Sequence, residues 1–178
     1  MTRVLLVPGV SAPLPEHWMA RWSRERPDCR PVRHPPNEDY DLHERVTALD
    51  AAVAATDEPA VLVGHSAGCI TVAAWAAEHD RPVSSALLVT PPDLDRWALP
   101  RTGPRIGMPR QRLPFPGILV ASRTDELMSF ARAVVCARDW GCELVDAGAV
   151  GHLNTAAGFG PWPAGETLLA RLVSAAQA

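Results

Sequence analysis

Residues 60–77 read AVLVGHSAGCITVAAWAA, from Ala60 to Ala77. Ala60 to Val63 is a short, continuously apolar run, the pattern of a parallel strand covered on both faces. Ala67 to Ala77 is apolar all round, as a helix wedged centrally against a sheet has to be. Between them Gly64-His65-Ser66-Ala67-Gly68 leaves no space for an ordinary loop. A strand that passes into a helix within five residues needs a sharp turn with a strained residue at its apex. Side chains on either flank would strike neighbouring backbone, which accounts for Gly64 and Gly68. Ser66 occupies the apex, and the turn lifts its hydroxyl above the strand ends. By average Gly and Ser usage a bare G-x-S-x-G arises by chance in a chain this long with a probability of about 5%, and at a strand-to-helix junction far less often. A serine before a helix can simply cap it, but a cap asks for no glycine on both sides.

Outward from this turn, similar apolar runs recur at Val4 to Val7, Arg30 to Arg33, Ala86 to Val89, Ile118 to Ala121 and Glu143 to Val145. Helical periodicity lies between most of them. Leu42, Val46, Leu49 and Val53 form one apolar stripe behind Asp41, with Glu44 completing a capping box. Further helices are expected over Glu16 to Arg26, Ser129 to Asp139 and Ala164 to Ala176. Alternating strands and helices predict an α/β fold: a doubly wound, mostly parallel sheet of about six strands, helices on both faces, and no large cap domain. Residues 1–178 read as a single domain of this kind. Pro91 to Pro116, with seven of the 18 prolines and five arginines, breaks the alternation. It reads as an irregular excursion, either a solvated loop or a rim over a pocket.

Composition closes off other chemistry. Of 178 residues, 47% are hydrophobic and 21% charged, and the net charge is −3, so no basic field exists to hold nucleic acid or anionic lipid. All 17 basic residues are arginine, which excludes a Walker lysine, a Schiff base and a Ser-Lys dyad. Cys29, Cys69, Cys136 and Cys142 form no C-x-x-C pair, so no metal site or redox motif is expected, and no cofactor. No basic segment precedes an apolar stretch near the start, and no apolar run reaches eighteen residues. A cytoplasmic protein acting on a small molecule, with neither nucleic acid nor membrane as partner, is the expectation; the oligomeric state is left open.

A serine hydroxyl needs a base within hydrogen-bond reach, and the base needs a third group to orient it. In hydrolases with this turn the chain order is Ser, acid, His, the last two on loops after later strands. Ser66, Asp125 and His152 satisfy that order. Asp125 follows the run Ile118 to Ala121, and His152 follows Glu143 to Val145, so both belong at the carboxyl edge of the sheet. Among the other histidines, His34 and His43 sit in a polar segment, His79 falls at a helix end and His65 points away from its neighbour. His17 is the remaining rival, with a packing role beside Trp18 the preferred reading. For the acid, Glu126, Asp93, Asp95 and Asp146 compete with Asp125. Charge developing on an attacked carbonyl calls for two backbone N–H donors. Ala67 supplies one by position; the other falls to Gly9 or Val10 after the first strand, since Pro8 has no N–H, and Val10 is preferred.

VPGxxxxxPEHWxxRW near the start, GHSAGC, PFPxxLVASRTDxxxSF and GHLNTAAGFGPWPAG near the end together resemble the small serine hydrolases related to retinoblastoma-binding protein nine. The resemblance spans nearly the whole chain. It implies a compact, lid-poor α/β-hydrolase acting on small acyl esters or amides, with Ser66, Asp125 and His152 as its triad. The acidic loop departs from the family: Thr124-Asp125-Glu126-Leu127-Met128 stands where Asn-Asp-Pro-Tyr is commoner. The partner-binding Leu-x-Cys-x-Glu segment of the animal member is absent, so that interaction is not implied. Trp18, Phe159 and Trp162 are candidate walls of an acyl pocket. Three functions follow: an esterase-like serine hydrolase working through an acyl-enzyme on Ser66, a binding protein that keeps the fold without useful turnover, or an aminopeptidase-like amidase with Glu126 or Glu16 as ammonium partner.

Overall fold

The computed structural model describes residues 2–33, 40–96 and 107–177. In chain order its elements are β1 (Arg3–Val7), α1 (Trp18–Glu25), β2 (Cys29–Pro31), α2 (Leu42–Ala54), β3 (Ala60–His65), α3 (Ala67–Glu78), β4 (Val83–Val89), β5 (Gly117–Ala121), α4 (Phe130–Trp140), β6 (Glu143–Asp146), a single 3-10 turn (Thr155–Ala157) and α5 (Pro163–Ala175). The strands form one six-stranded sheet in the order β2-β1-β3-β4-β5-β6. Every pairing is parallel. This is the doubly wound parallel sheet expected from the alternation of strands and helices, and the compact α/β-hydrolase arrangement that the family resemblance implies.

Strand alternation divides the apolar residues between two layers. Leu5, Leu62, Leu88 and Leu119 face α2, α3 and α4, whereas Val4, Val61, Val63, Leu87 and Val120 face α1 and α5. All six residues of β3 are buried, so this strand has no solvent face and needs a continuous apolar run. The α3 helix on it is buried along eight of its twelve residues, which is why its sequence shows no polar stripe. Asp41 caps α2, its carboxylate accepting from the Glu44 N–H at 3.0 Å; Ser129 caps α4 in the same way, and Gly141 ends it in the left-handed region at φ 71.

Several boundaries differ from the sequence reading, each for a local reason. Helix α1 begins at Trp18 because His17 is its cap, the ring Nδ1 accepting from the Met19 N–H at 3.1 Å. Strand β2 is Cys29–Pro31, two residues short of Arg33: Cys29 lies opposite Val4 and Pro31 opposite Leu6, and the strand ends at the proline. β3 carries on through Gly64 and His65, and β4 starts earlier, at Val83, both extended by pairing with each other. Of the excursion from Pro91 to Pro116, residues 97–106, with Arg101 and Arg105, lie outside the described residues. Its flanks are built into the protein: Leu94, Met108, Leu113 and Phe115 join the core under α4, Asp93 is paired with Arg132, and the Trp140 indole donates to the Pro109 carbonyl at 2.9 Å.

The chain steps from β1 outward to β2 and then returns across β1 to β3. The carboxyl ends of β1 and β3 therefore border the crevice where a doubly wound sheet reverses direction, the usual place for a ligand. Ser66 lies there.

Candidate active site

Between β3 and α3 the backbone of Ser66 adopts φ 55 and ψ −126, a region that non-glycine residues rarely enter. The turn is held in that shape by contact. A Cβ on Gly68 would lie 2.0 Å from the Val7 carbonyl oxygen and 2.8 Å from that of Pro8, and a Cβ on Gly64 would lie 3.0 Å from the Cys69 nitrogen. Close packing of α3 against the end of β1 thus dictates Gly68, and the sharp entry of β3 into α3 dictates Gly64. The Ser66 hydroxyl makes no capping bond to α3; it is 2.8 Å from His152 Nε2.

His152 Nδ1 is in turn 3.0 Å from each carboxylate oxygen of Asp125. With Nδ1–H donating to the carboxylate, Nε2 is left to accept from the serine hydroxyl. The Asp125 side chain is only 2% exposed, and its Oδ1 also accepts from the Leu127 N–H at 2.9 Å. The other acids are engaged elsewhere. Asp146 accepts from Arg123 Nε at 2.8 Å, Asp93 and Asp95 bind Arg132, and Glu126 is exposed.

The His152 loop is tied down on three sides. Its approach is fixed by Val150 N–H on Ser122 Oγ and Gly151 N–H on Thr124 Oγ1, at 3.1 and 3.0 Å, so the His152 loop is laced to the Asp125 loop. The His152 carbonyl accepts from His65 Nε2–H at 3.1 Å and Thr90 Oγ1–H at 3.2 Å. Beyond it the Trp18 indole donates to the Leu153 carbonyl at 2.9 Å. Leu153 itself sits at φ 47 and Thr90 at φ 46, so strain gathers around this loop.

The imidazoles of His17, His65 and His152 form a row, with ring centroids 4.9 and 5.2 Å apart. Burial, reinforced by the neighbouring His152, pushes His17 down to about 4 and His65 to about 3. Both are therefore neutral near pH 7 and leave the cavity beside them uncharged. His34 lies outside the described residues, His43 is exposed, and His79 hydrogen-bonds at the end of α3.

A cavity of about 290 Å³ opens beside Ser66, walled by residues 8–14, His17, Met19, His65, His152 and residues 154–156. Val10 and Gly9 belong to this wall; a Cβ on Gly9 would stand 3.2 Å from that of Ser66, so the loop after β1 lies directly against the nucleophile turn. None of the lining residues is acidic or an arginine, and none of the described residues of the Pro91 to Pro116 excursion contributes.

Trp18, Phe159 and Trp162 do not line the cavity, a correction to the sequence reading. Trp18 and Trp162 are 0% and 5% exposed and pack with Trp22 in the layer under α1 and α5, Trp18 edge-on to Trp22 and Trp162 stacked on it; Phe159 packs on the same layer. Four rings this large satisfy one another more fully than a solvent-lined wall would. The residues that sequence reasoning missed hold the site from behind. Arg45 of α2, 3% exposed, donates to the carbonyls of Gly9 and Val10 at 2.6 and 2.7 Å. Its guanidinium lies 4.5 Å over the Tyr40 ring, and the Tyr40 hydroxyl donates to the Ala67 carbonyl at 3.0 Å. One sequence signal existed: Arg45 falls four residues before Leu49, on the stripe that α2 buries.

This fold and this geometry are those of an α/β-hydrolase. The family described as "Serine hydrolase" matches residues 4–171, and the chain belongs to it, within the group that includes retinoblastoma-binding protein nine and YdeN. A protein described as a YdeN-like hydrolase from Pectobacterium atrosepticum is 32% identical, with a TM-score of 0.89 over 99% of this chain and 92% of that one. The ydeN gene product of Bacillus subtilis is 19% identical, with a TM-score of 0.74 over 98% and 100% of the two chains. Esterase 2 of Thermogutta terrifontis is 15% identical, with a TM-score of 0.70 over 95% and 81%; at that distance the likeness is one of fold. Among curated proteins nothing matches.

Proposed function

We propose that this protein hydrolyses small, uncharged carboxylic esters through an acyl-enzyme on Ser66. The observation that carries the reading is the unbroken series of hydrogen bonds from Ser66 Oγ through the His152 ring to Asp125, at 2.8 and 3.0 Å. In the first half-reaction Ser66 Oγ attacks the ester carbonyl carbon while His152 Nε2 takes the hydroxyl proton, and buried Asp125 stabilises the imidazolium that forms. The tetrahedral oxyanion is held by the N–H groups of Ala67 and Val10 at the positive end of α3. Collapse breaks the bond to the alkoxy group, which leaves as alcohol with the proton from His152. Water then attacks the acyl-serine by the same route, giving the acid and restoring Ser66.

The cavity wall favours a neutral acyl group. It presents apolar and uncharged polar side chains and the neutral imidazoles of His17 and His65, without an acidic or arginine side chain among the described residues. Glu16 and Glu126 do not line it, which leaves the amidase alternative without its ammonium partner. A fluorophosphonate probe and a panel of p-nitrophenyl esters test the proposal. The intact protein should be labelled, Ser66→Ala should not, and a butyrate ester should be turned over at least tenfold faster than a hemisuccinate of similar length. Absence of labelling, or labelling undiminished in Ser66→Ala, would remove the esterase reading and leave the binding-protein one.

A further inference from the structure

Arg45 is a cation with almost no solvent, and burying it is tolerable only because its hydrogen-bond donors find partners. Among its partners are the carbonyl oxygens of two consecutive residues, Gly9 and Val10, at 2.6 and 2.7 Å. These belong to the loop that lies against Ser66.

The direction of those carbonyls fixes the direction of the amides. In a trans peptide the C=O and N–H of one unit point opposite ways, and no described peptide bond is cis. The Gly9 carbonyl and the Val10 N–H share one unit; the Val10 carbonyl and the Ser11 N–H share the next. Gly9, Val10 and Ser11 line the cavity while Arg45 does not. Both carbonyls therefore turn back toward Arg45 of α2, and the N–H groups of the same two units point away from it. Had the Gly9 peptide rotated, a carbonyl oxygen would face the nucleophile, and a partial negative charge would meet a developing oxyanion.

The same side chain reaches the other half of the site. Its guanidinium lies 4.5 Å above the Tyr40 ring, and the Tyr40 hydroxyl donates to the carbonyl of Ala67, the first residue of α3, at 3.0 Å and is 2.8 Å from Thr71 Oγ1. Tyr40 is fully buried. Two contacting side chains from one short stretch, Tyr40 to Arg45, thus grip the backbone on both sides of the space above Ser66.

We propose that Arg45, seated on Tyr40, is the positioning residue of the oxyanion hole, holding the Val10 amide toward Ser66 by gripping the Gly9 and Val10 carbonyls from behind. This rests on the hydrolase reading above. Arg45 touches no substrate; it sets where a donor points, and so acts on the tetrahedral state far more than on the bound ester.

The experiment is steady-state hydrolysis of p-nitrophenyl butyrate, with inhibition by an alkyl boronic acid, by the full chain and its Arg45→Met, Arg45→Lys and Tyr40→Phe variants. The boronate forms a tetrahedral serine adduct and reads the oxyanion hole directly. Losing an oxyanion donor lowers kcat by about 10²- to 10³-fold, so Arg45→Met should lose about 10²-fold in kcat with KM within about twofold, and boronate affinity should fall in step. Arg45→Lys, able to reach one carbonyl, should lose about tenfold, and Tyr40→Phe several-fold. A folded Arg45→Met with parental kcat, or one with lowered kcat but undiminished boronate affinity, overturns the proposal. Should Arg45→Met fail to fold, Arg45→Lys decides by the same two readouts. A parent chain that no fluorophosphonate labels sinks the hydrolase reading itself, whereas a labelled parent with indifferent Arg45 variants sinks only the positioning role.

Discussion

His65 and His152 are joined through side chain and backbone: the His65 ring donates from Nε2–H to the His152 carbonyl at 3.1 Å. The residue next to Ser66 therefore holds the loop that carries His152. Thr90, at the end of β4, donates to the same oxygen. Replacing His65 by Leu keeps much of the shape but leaves that carbonyl to Thr90 alone. The expected result is a roughly tenfold drop in kcat on a p-nitrophenyl ester with KM little changed, while Thr90→Val lowers stability by about 1 kcal/mol, the net value of a typical hydrogen bond. Steady-state kinetics and thermal melting check both; a His65→Leu protein with parental kcat would show that the remaining bonds suffice to hold His152.

Gly68 and Gly148 separate two reasons for glycine. Gly148 stands at φ 82 with nothing within 4 Å of an added Cβ, so alanine there meets only left-handed strain, about 1 kcal/mol. At Gly68 the added carbon would meet the Val7 carbonyl at 2.0 Å, and either β1 or α3 must move. Gly68→Ala should cost on the order of 3 kcal/mol or more and lose fluorophosphonate labelling with it. Denaturant melts of the two variants side by side give the comparison; equal losses would mean that the helix end yields easily.

Acid should weaken the fold in a particular window. His17 and His65 are held near 4 and 3, below the ordinary value of 6.5, by burial and by the adjacent His152. Between those values and 6.5 the unfolded chain binds more protons than the folded one, so stability falls as pH drops. This contribution is complete above about 6.5 and is lost on the way down through 4 and then 3. His17→Gln should flatten the dependence of Tm on pH between 6 and 4; an unchanged slope would place the acid sensitivity elsewhere.

What the sequence could reveal was whatever depends on neighbours along the chain. The turn at Ser66 is legible because its glycines flank the serine at fixed spacing, Gly64 answering a clash with α3 itself and Gly68 one with the end of β1. β3 and α3 are legible because total burial removes every polar residue. Asp125 and His152 were reachable only through their order along the chain and their loops; the bond joining them crosses 27 positions and that from His152 to Ser66 crosses 86. The tryptophans were misjudged because an indole next to a base looks the same in sequence whether it faces a ligand or three other rings. Arg45, Tyr40 and Thr90 left almost no local mark: their partners are backbone atoms 27 to 62 positions away, and a carbonyl has no side-chain signature.

A sheet built wholly from parallel neighbours contains no hairpin, so each pairing must close a long loop before it returns any stabilisation. Ser66 lies early in the chain and its proton acceptor late, on the far side of three further strands. During synthesis the Ser66 hydroxyl consequently waits without its imidazole partner until β6 and residue 152 have emerged. A nascent chain that stops before His152 would carry the strained Ser66 turn without the imidazole that the folded protein sets beside it.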